Sequence, residues 1–315
     1  MCPMDLYRDC RLCPRACGVN RTDNGAAAER GFCRETDQMR VGYVGPHFGE
    51  EPPISGTNGS GAIFFAGCAL RCSFCQNHQI SRQGMGEKVG MTELVARAKQ
   101  MIYLQHVHNI NLVTPDHFLP HSIEFVSLLR KGGLDLPVVY NLSGYQSVEM
   151  LKVAEEHVDI YLPDYKFSDP SLASRLSKCR GYPGAALEAI SEMLRQKGFI
   201  DSVLTGKAIA KRGVLVRHLI LPGCVENSIN ALTSLFVEFG RDLPISIMSQ
   251  YHPVLGQAYD FLNRFISEDE FEQVYSHARE LGFVHMFVQF PVRDRESSRS
   301  SSSFLPDFRD TEPFS

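Results

Sequence analysis

An excess of one charge and long apolar runs are both missing from this sequence of 315 residues, and few of its cysteines are scattered. Lys and Arg number 32 against 36 Asp and Glu, for a formal net charge of −4. That balance argues against a surface built for polyanions or for an acidic membrane, so neither a nucleic-acid nor a membrane partner is expected. No apolar run is long enough to span a bilayer, and the opening Met1-Cys-Pro-Met-Asp5 has no apolar stretch of the signal-peptide kind. A cytoplasmic location is the expectation. Seven of the ten cysteines fall in two tight groups, at positions 10, 13, 17 and 33 and at 68, 72 and 75. That is metal-ligand usage in a reducing compartment rather than a secreted disulfide frame. Cys2, Cys179 and Cys224 stand alone and read as small apolar fillers or surface thiols. What is present is enough apolar content, 43%, for a sizeable core in one large domain or two ordinary ones.

The chain is organised around Gly61-Ala-Ile-Phe-Phe-Ala-Gly67, an apolar run that reads as a buried strand. It opens directly into Cys68, Cys72 and Cys75 in C-x3-C-x2-C order, with Phe74 just before the third thiol. Thiolates so close cannot close a comfortable set of disulfides, but they can hold three corners of one iron–sulfur cluster. A cubane usually takes four thiolates, so three leave one iron open to a ligand. A structural zinc site or three unrelated thiols is the plainer alternative. The strand before and the βα pattern after weigh against it.

Upstream, Cys10, Cys13, Cys17 and Cys33 follow C-x2-C-x3-C…C order among Pro14, Gly18, Gly25 and Gly31. This reads as a loop-rich metal knuckle holding either a structural zinc or a second 4Fe–4S cluster. A Gly- and Pro-rich connector follows, in which Glu50 and Glu51 read as solvated loop acids, although they could help bind a substrate near the cluster.

From residue 61 onward, strands and helices alternate. Segments 110–113, 137–140, 158–162, 214–221 and 244–248 read as buried parallel strands, separated by helical periods such as 184–197. Helix 267–281 precedes a last apolar run, 283–290. Six βα units predict an open or partial parallel barrel. Reactive groups in such barrels collect at the C-terminal ends of strands. Here those ends carry Thr114 and Asp116, Asn141 and Ser143, Asp164 and Lys166, and Arg217. His106, His108, His117 and His121 read as ordinary hydrogen-bonding histidines. The expected organisation is a Cys-rich region 1–45, a barrel 46–291 and an unstructured tail 292–315.

The C-x3-C-x2-C stretch with its aromatic resembles the radical S-adenosylmethionine (SAM) enzymes. Further blocks resemble the activating enzymes of glycyl radical proteins, such as pyruvate formate-lyase activase, and their PflX branch in particular. Those blocks are the Cys10–Cys33 knuckle, Gly45-Pro-His-Phe-Gly-Glu-Glu-Pro-Pro53, Asn109-Ile-Asn-Leu-Val-Thr-Pro115 and Asp159-Ile-Tyr-Leu-Pro-Asp-Tyr-Lys166. The resemblance implies an α/β fold, a partial (β/α)6 TIM-like barrel of the radical SAM type. It implies a 4Fe–4S cluster on Cys68, Cys72 and Cys75, SAM on the open iron, and one-electron cleavage of SAM to methionine and a 5′-deoxyadenosyl radical. It also implies a flavodoxin or ferredoxin-type reductant and, for an activase, a glycyl radical protein as substrate.

Two departures stand out. Where the activases carry Gly-Gly-Glu for the SAM amino group, this chain has Thr114-Pro115-Asp116, so Thr114 or Asp116 is the expected replacement. Asn141 replaces an acid at the end of the third strand, with Ser143 beside it. Asp164 and Lys166 match the activases' Asp-x-Lys, and Arg217 is expected at the ligand carboxylate. A radical SAM enzyme acting on a small molecule or peptide, with an auxiliary cluster in the knuckle, is a rival expectation. A non-catalytic iron–sulfur electron carrier is another.

Overall fold

The structure is a computed structural model that describes residues 3–22, 29–291 and 305–314. Its strands are β1 (Arg40–His47), β2 (Ser60–Phe65), β3 (Glu87–Lys88), β4 (Ile110–Val113), β5 (Val138–Leu142), β6 (Ile160–Pro163), β7 (Gly213–Val214), β8 (Val216–Leu219), β9 (Ile245–Met248) and β10 (Met286–Val288). One sheet has the order β3-β1-β2-β4-β5-β6-β7, and a second the order β10-β9-β8. All neighbours from β2 to β7, and all within the second sheet, run parallel. An isolated parallel bridge between Asp164 and Arg217 stitches the two sheets into one curved wall. The Tyr165 N–H donates to the Arg217 carbonyl across the same seam, at 2.8 Å. This is the expected mixed α/β fold with an open parallel barrel.

Each central strand forms because its apolar run is buried at every position: β2, β4, β5 and β6 have no exposed residue. Strands covered on both faces lose the in-out alternation of a half-solvated sheet. The helices between them bury one stripe each, for example Leu94, Ala98, Met101 and Ile102 of helix Met91–Gln105. Helix Glu268–Leu281 starts at a capping box, in which Ser267 and Glu270 satisfy each other's backbone N–H.

Three expectations need correction. The connector after the knuckle begins as β1, which pairs antiparallel with β2 and crosses the expected boundary between residues 45 and 46. Nor is the Cys-rich region separate, because Tyr7, Cys10 and Leu12 join the same core as the barrel. The expected unstructured tail is wrong for residues 305–314. They pack Phe308 and Phe314 against Phe64 of β2, since aromatic surface of that size gains from leaving water. Residues 292–304 of that tail lie outside the described residues, as does Cys2.

Candidate active site

Cys68, Cys72 and Cys75 all line one cavity of about 650 Å³ at the C-terminal ends of the strands. Gly67, with φ +81°, turns the chain out of β2 into the cysteine loop. A Cβ there would stand 2.5 Å from Glu35 Cγ and 2.8 Å from the Cys33 carbonyl, so only glycine fits. Each sulfur receives a donor. The Leu70 N–H reaches Cys68 Sγ at 3.3 Å, Ser177 Oγ–H reaches Cys72 Sγ at 3.0 Å, and Ser81 Oγ–H reaches Cys75 Sγ at 3.3 Å. Burial pushes the Cys68 thiol up to about 12, with Cys72 and Cys75 adding to it. It pushes Cys72 up to about 11 against the pull of Lys166. Thiols so disfavoured as anions ionise only when a metal takes them, and the three donors suit the thiolates that result.

Among the described residues no three His, Cys, Asp or Glu side chains stand close enough to share one metal ion. A cubane sets its thiolates on separate irons, which three thiols around one cavity can provide.

The same cavity is lined by a buried charge network centred on Arg217, whose side chain is 11% exposed. Its Nε donates to Asp164 Oδ1 at 2.8 Å, Nη1 to Glu50 Oε2 at 2.9 Å and Nη2 to Asn141 Oδ1 at 2.5 Å. Glu50 Oε1 also accepts from Asn111 and Asn141 Nδ2, at 3.0 and 2.8 Å. Lys166 closes the network on Asp164 Oδ2. Burial works against the Asp164 charge, but Arg217 and Lys166 outweigh it and hold the carboxyl below its usual range. Burial likewise opposes the Lys166 ammonium, and Asp164 and Cys72 overcome that. Glu51 behaves oppositely. Burial, reinforced by Glu50, raises its carboxyl despite Arg217, and its Oε2 has no partner among the described residues.

The strand ends are held in register by Tyr182, whose hydroxyl accepts from the Lys166 N–H at 2.9 Å and reaches the Asp164 carbonyl at 2.7 Å. Gly144, at φ +82°, is required where the chain leaving β5 passes this carbonyl.

The expected site residues therefore divide. Thr114, Asn141, Ser143, Asp164, Lys166, Arg217 and Phe74 line the cavity with the three thiols. Asp116 does not. The turn after β4, in which Thr114 takes φ +57°, carries its side chain away, and its Oδ1 accepts from Gln146 Nε2 at 2.8 Å. Burial raises its carboxyl to about 6. Glu50 and Glu51, read as solvated loop acids, are instead in the cavity wall. The only sequence signal for them was the Glu-Glu-Pro-Pro run, whose prolines start the short helix Pro52–Ser55 and fix the acids just before it. His117 and His121 are hydrogen-bonded as expected, to the Ala66 carbonyl at 2.6 Å and to the Tyr7 hydroxyl at 2.7 Å.

Cys10, Cys13, Cys17 and Cys33 do not line the cavity. They pack on the far side of the cysteine loop, where Arg15 Nε donates to the Ala69 carbonyl at 3.0 Å. Cys10 and Cys33 are buried while Cys17 is exposed. The wholly buried Arg21 donates to the Glu35 and Thr36 carbonyls and to Cys10 Sγ, at 3.0, 2.8 and 3.5 Å.

Residues 62–214 match the profile of the Radical SAM superfamily. Over that stretch the chain is similar to the radical SAM enzymes. It is 27% identical over 282 residues to an uncharacterised protein of Methanocaldococcus jannaschii, covering 85% of this chain and 74% of that one. HydG, a maturase of the FeFe-hydrogenase, superposes with a TM-score of 0.50 at 14% identity, over 76% of this chain and 52% of its own. Methylornithine synthase (PylB) gives 0.43 at 16% identity, over 74% of each chain. The HydG likeness is one of fold. The radical SAM superfamily implies a 4Fe–4S cluster, SAM, and an external reductant, and the cavity thiols fit the first of these.

Proposed function

We propose that the chain cleaves SAM reductively to start hydrogen-atom abstraction, and that its target is a glycine of a partner protein, as in the glycyl radical activases. The observation that carries the reading is that three donor-supported thiols and the Arg217 network line a single cavity. Cys68, Cys72 and Cys75 would hold the cluster. When bound and reduced, it supplies the one electron that splits SAM into methionine and a 5′-deoxyadenosyl radical.

The chain's own residues do the rest. Lys166 and Arg217 offer cations to the SAM carboxylate. Glu50 and Glu51 take over the ammonium contact expected of Asp116, whose side chain is turned to Gln146 instead. Thr114, Asn141 and Ser143 lie along the same rim, and Phe74 packs behind the loop against Phe167 and Tyr251. A flavodoxin or ferredoxin-type protein would deliver the electron. Buried carboxylates and cations of this density argue for a ligand-binding site and against a simple electron carrier.

The deciding experiment is 5′-deoxyadenosine formation from SAM by anaerobically reconstituted, dithionite-reduced protein. Production is expected, and Cys72→Ala should abolish it. SAM cleavage that persists in the Cys72→Ala protein, or none by the fully loaded native protein, would overturn the reading.

One observation favours a second metal centre behind the loop. Arg21 is a wholly buried cation whose described partners are carbonyls, rings and Cys10. Thiolates at Cys10, Cys13, Cys17 and Cys33 would add negative charge beside it. About eight irons per chain would identify that centre as a second cluster, and about four with bound zinc as a structural site.

A further inference from the structure

The mouth of the cavity is filled by the chain's own residues 305–314. Phe314 sits among His47, Phe64 and Tyr43, with ring centroids 4.3, 5.1 and 5.4 Å away. Phe308 stands 5.7 Å from Phe64 and 6.0 Å from Phe314. Pro306, Glu312 and Phe314 line the same cavity as the three thiols. The segment is folded on itself, with the Asp307 N–H donating to the Pro313 carbonyl at 3.0 Å.

The segment is clamped from the cluster side. Gln79 lies on the short helix His78–Ser81 that follows the cysteine loop. Its side chain donates to Asp307 Oδ1 at 2.9 Å and accepts from the Phe308 N–H at 2.7 Å. A side-chain amide that reads a main-chain N–H recognises a peptide as a peptide, and the aromatic seats then select the side chains it carries. Among the described residues the segment makes no strand pairing with the sheet, and rings and this clamp help to seat it.

We propose that this aromatic mouth is a peptide-binding site for a segment carrying two closely spaced aromatic side chains. Residues 305–314 fill it in cis until such a segment of the substrate protein displaces them. This deepens the activase reading and rests on it for the catalytic consequence alone, because peptide binding requires neither cluster nor SAM.

The sequence has no tryptophan, so Phe314→Trp gives the full-length protein a single tryptophan, in the mouth, that can be excited selectively over the tyrosines. Its emission should be blue-shifted and shielded from iodide. A synthetic peptide with the sequence of residues 305–315 should red-shift it saturably and expose it. A full-length Phe308→Ser, Phe314→Ser protein, its mouth vacated, should bind the same peptide, fluorescein-labelled, about tenfold or more tightly than the unaltered chain. The reason is that a tethered competitor acts at an effective concentration on the order of millimolar. Gln79→Ala in that released protein should weaken binding.

Emission from the Phe314→Trp protein as exposed as that of free tryptophan would overturn the proposal. So would equal peptide affinity in the released and unaltered proteins, or no binding to either. The released variant should also cleave SAM faster without substrate, and the peptide should suppress the excess. Normal peptide binding with no deoxyadenosine from any form would support this site and fault the radical chemistry instead.

Discussion

Arg217→Met is the sharpest test of the buried charge network. The guanidinium is the one group that touches Glu50, Asp164 and Asn141 together, and the side chains of Glu50 and Asp164 are only 6% and 14% exposed. Removing one partner of a buried pair leaves an uncompensated charge and costs about 3–5 kcal/mol. Asp164 would keep Lys166, and Glu50 would keep the amides of Asn111 and Asn141, so the lower end is expected. A loss of about 3 kcal/mol moves a urea midpoint down by about 1 M for a slope of about 3 kcal/mol/M. Adding Glu50→Gln to the same protein removes the stranded charge and should return about 2 kcal/mol of that loss, a coupling typical of groups in contact. The assay is reversible urea unfolding followed by far-UV circular dichroism. The reasoning fails if Arg217→Met changes stability by less than about 1 kcal/mol, or if the second substitution adds to the first instead of offsetting it.

Other consequences follow from the same geometry. Asp116 is a buried acid raised from 3.8 to about 6, so its carboxylate is disfavoured in the folded protein. The native state then holds a proton that the unfolded chain has lost, and stability should fall as pH rises between those values, by about 3 kcal/mol in all. Asp116→Asn should flatten that stretch of the pH–stability curve and raise the urea midpoint at pH 7; an unchanged curve would contradict the burial argument. Glu51 is shifted in the same direction, so Glu51→Gln should hold or raise the urea midpoint at neutral pH, and a clear fall would contradict the burial argument. Gly144→Ala puts a Cβ 2.0 Å from the Asp164 carbonyl at a φ of +82°. That strain should cost on the order of 3 kcal/mol, read as a lower thermal midpoint, and with it the register between Ser143 and Asp164.

The parts of the site that were legible in the sequence are local ones. The spacing of Cys68, Cys72 and Cys75, the turn at Gly67 and the pair Asp164 and Lys166 depend on neighbours a few residues apart, and each lies where a strand end puts it. Arg217 could be read because its strand ends on the same face. Asp116 was misplaced for the complementary reason: a positive φ at Thr114 swings the chain away two residues earlier, and no residue type announces it. The alternation of apolar runs and amphipathic periods gave the parallel barrel, but not β1, whose burial alternates irregularly and whose partner is the strand after the next loop.

The sequence by itself thus determined the chemistry that short spacing can encode: three thiols behind a strand, a parallel α/β frame, and polar groups at its strand ends. Only the tertiary structure decided what closes the site. Glu50 meets Arg217 across 167 positions of chain, and Gln79 meets Phe308 across 229. Contacts at such separations depend on how the whole sheet curves, and the acids, amides and aromatic rings that make them look on paper like any solvated loop. Burial is what converts them into a charge network and a plug, and burial is a property of the assembled fold.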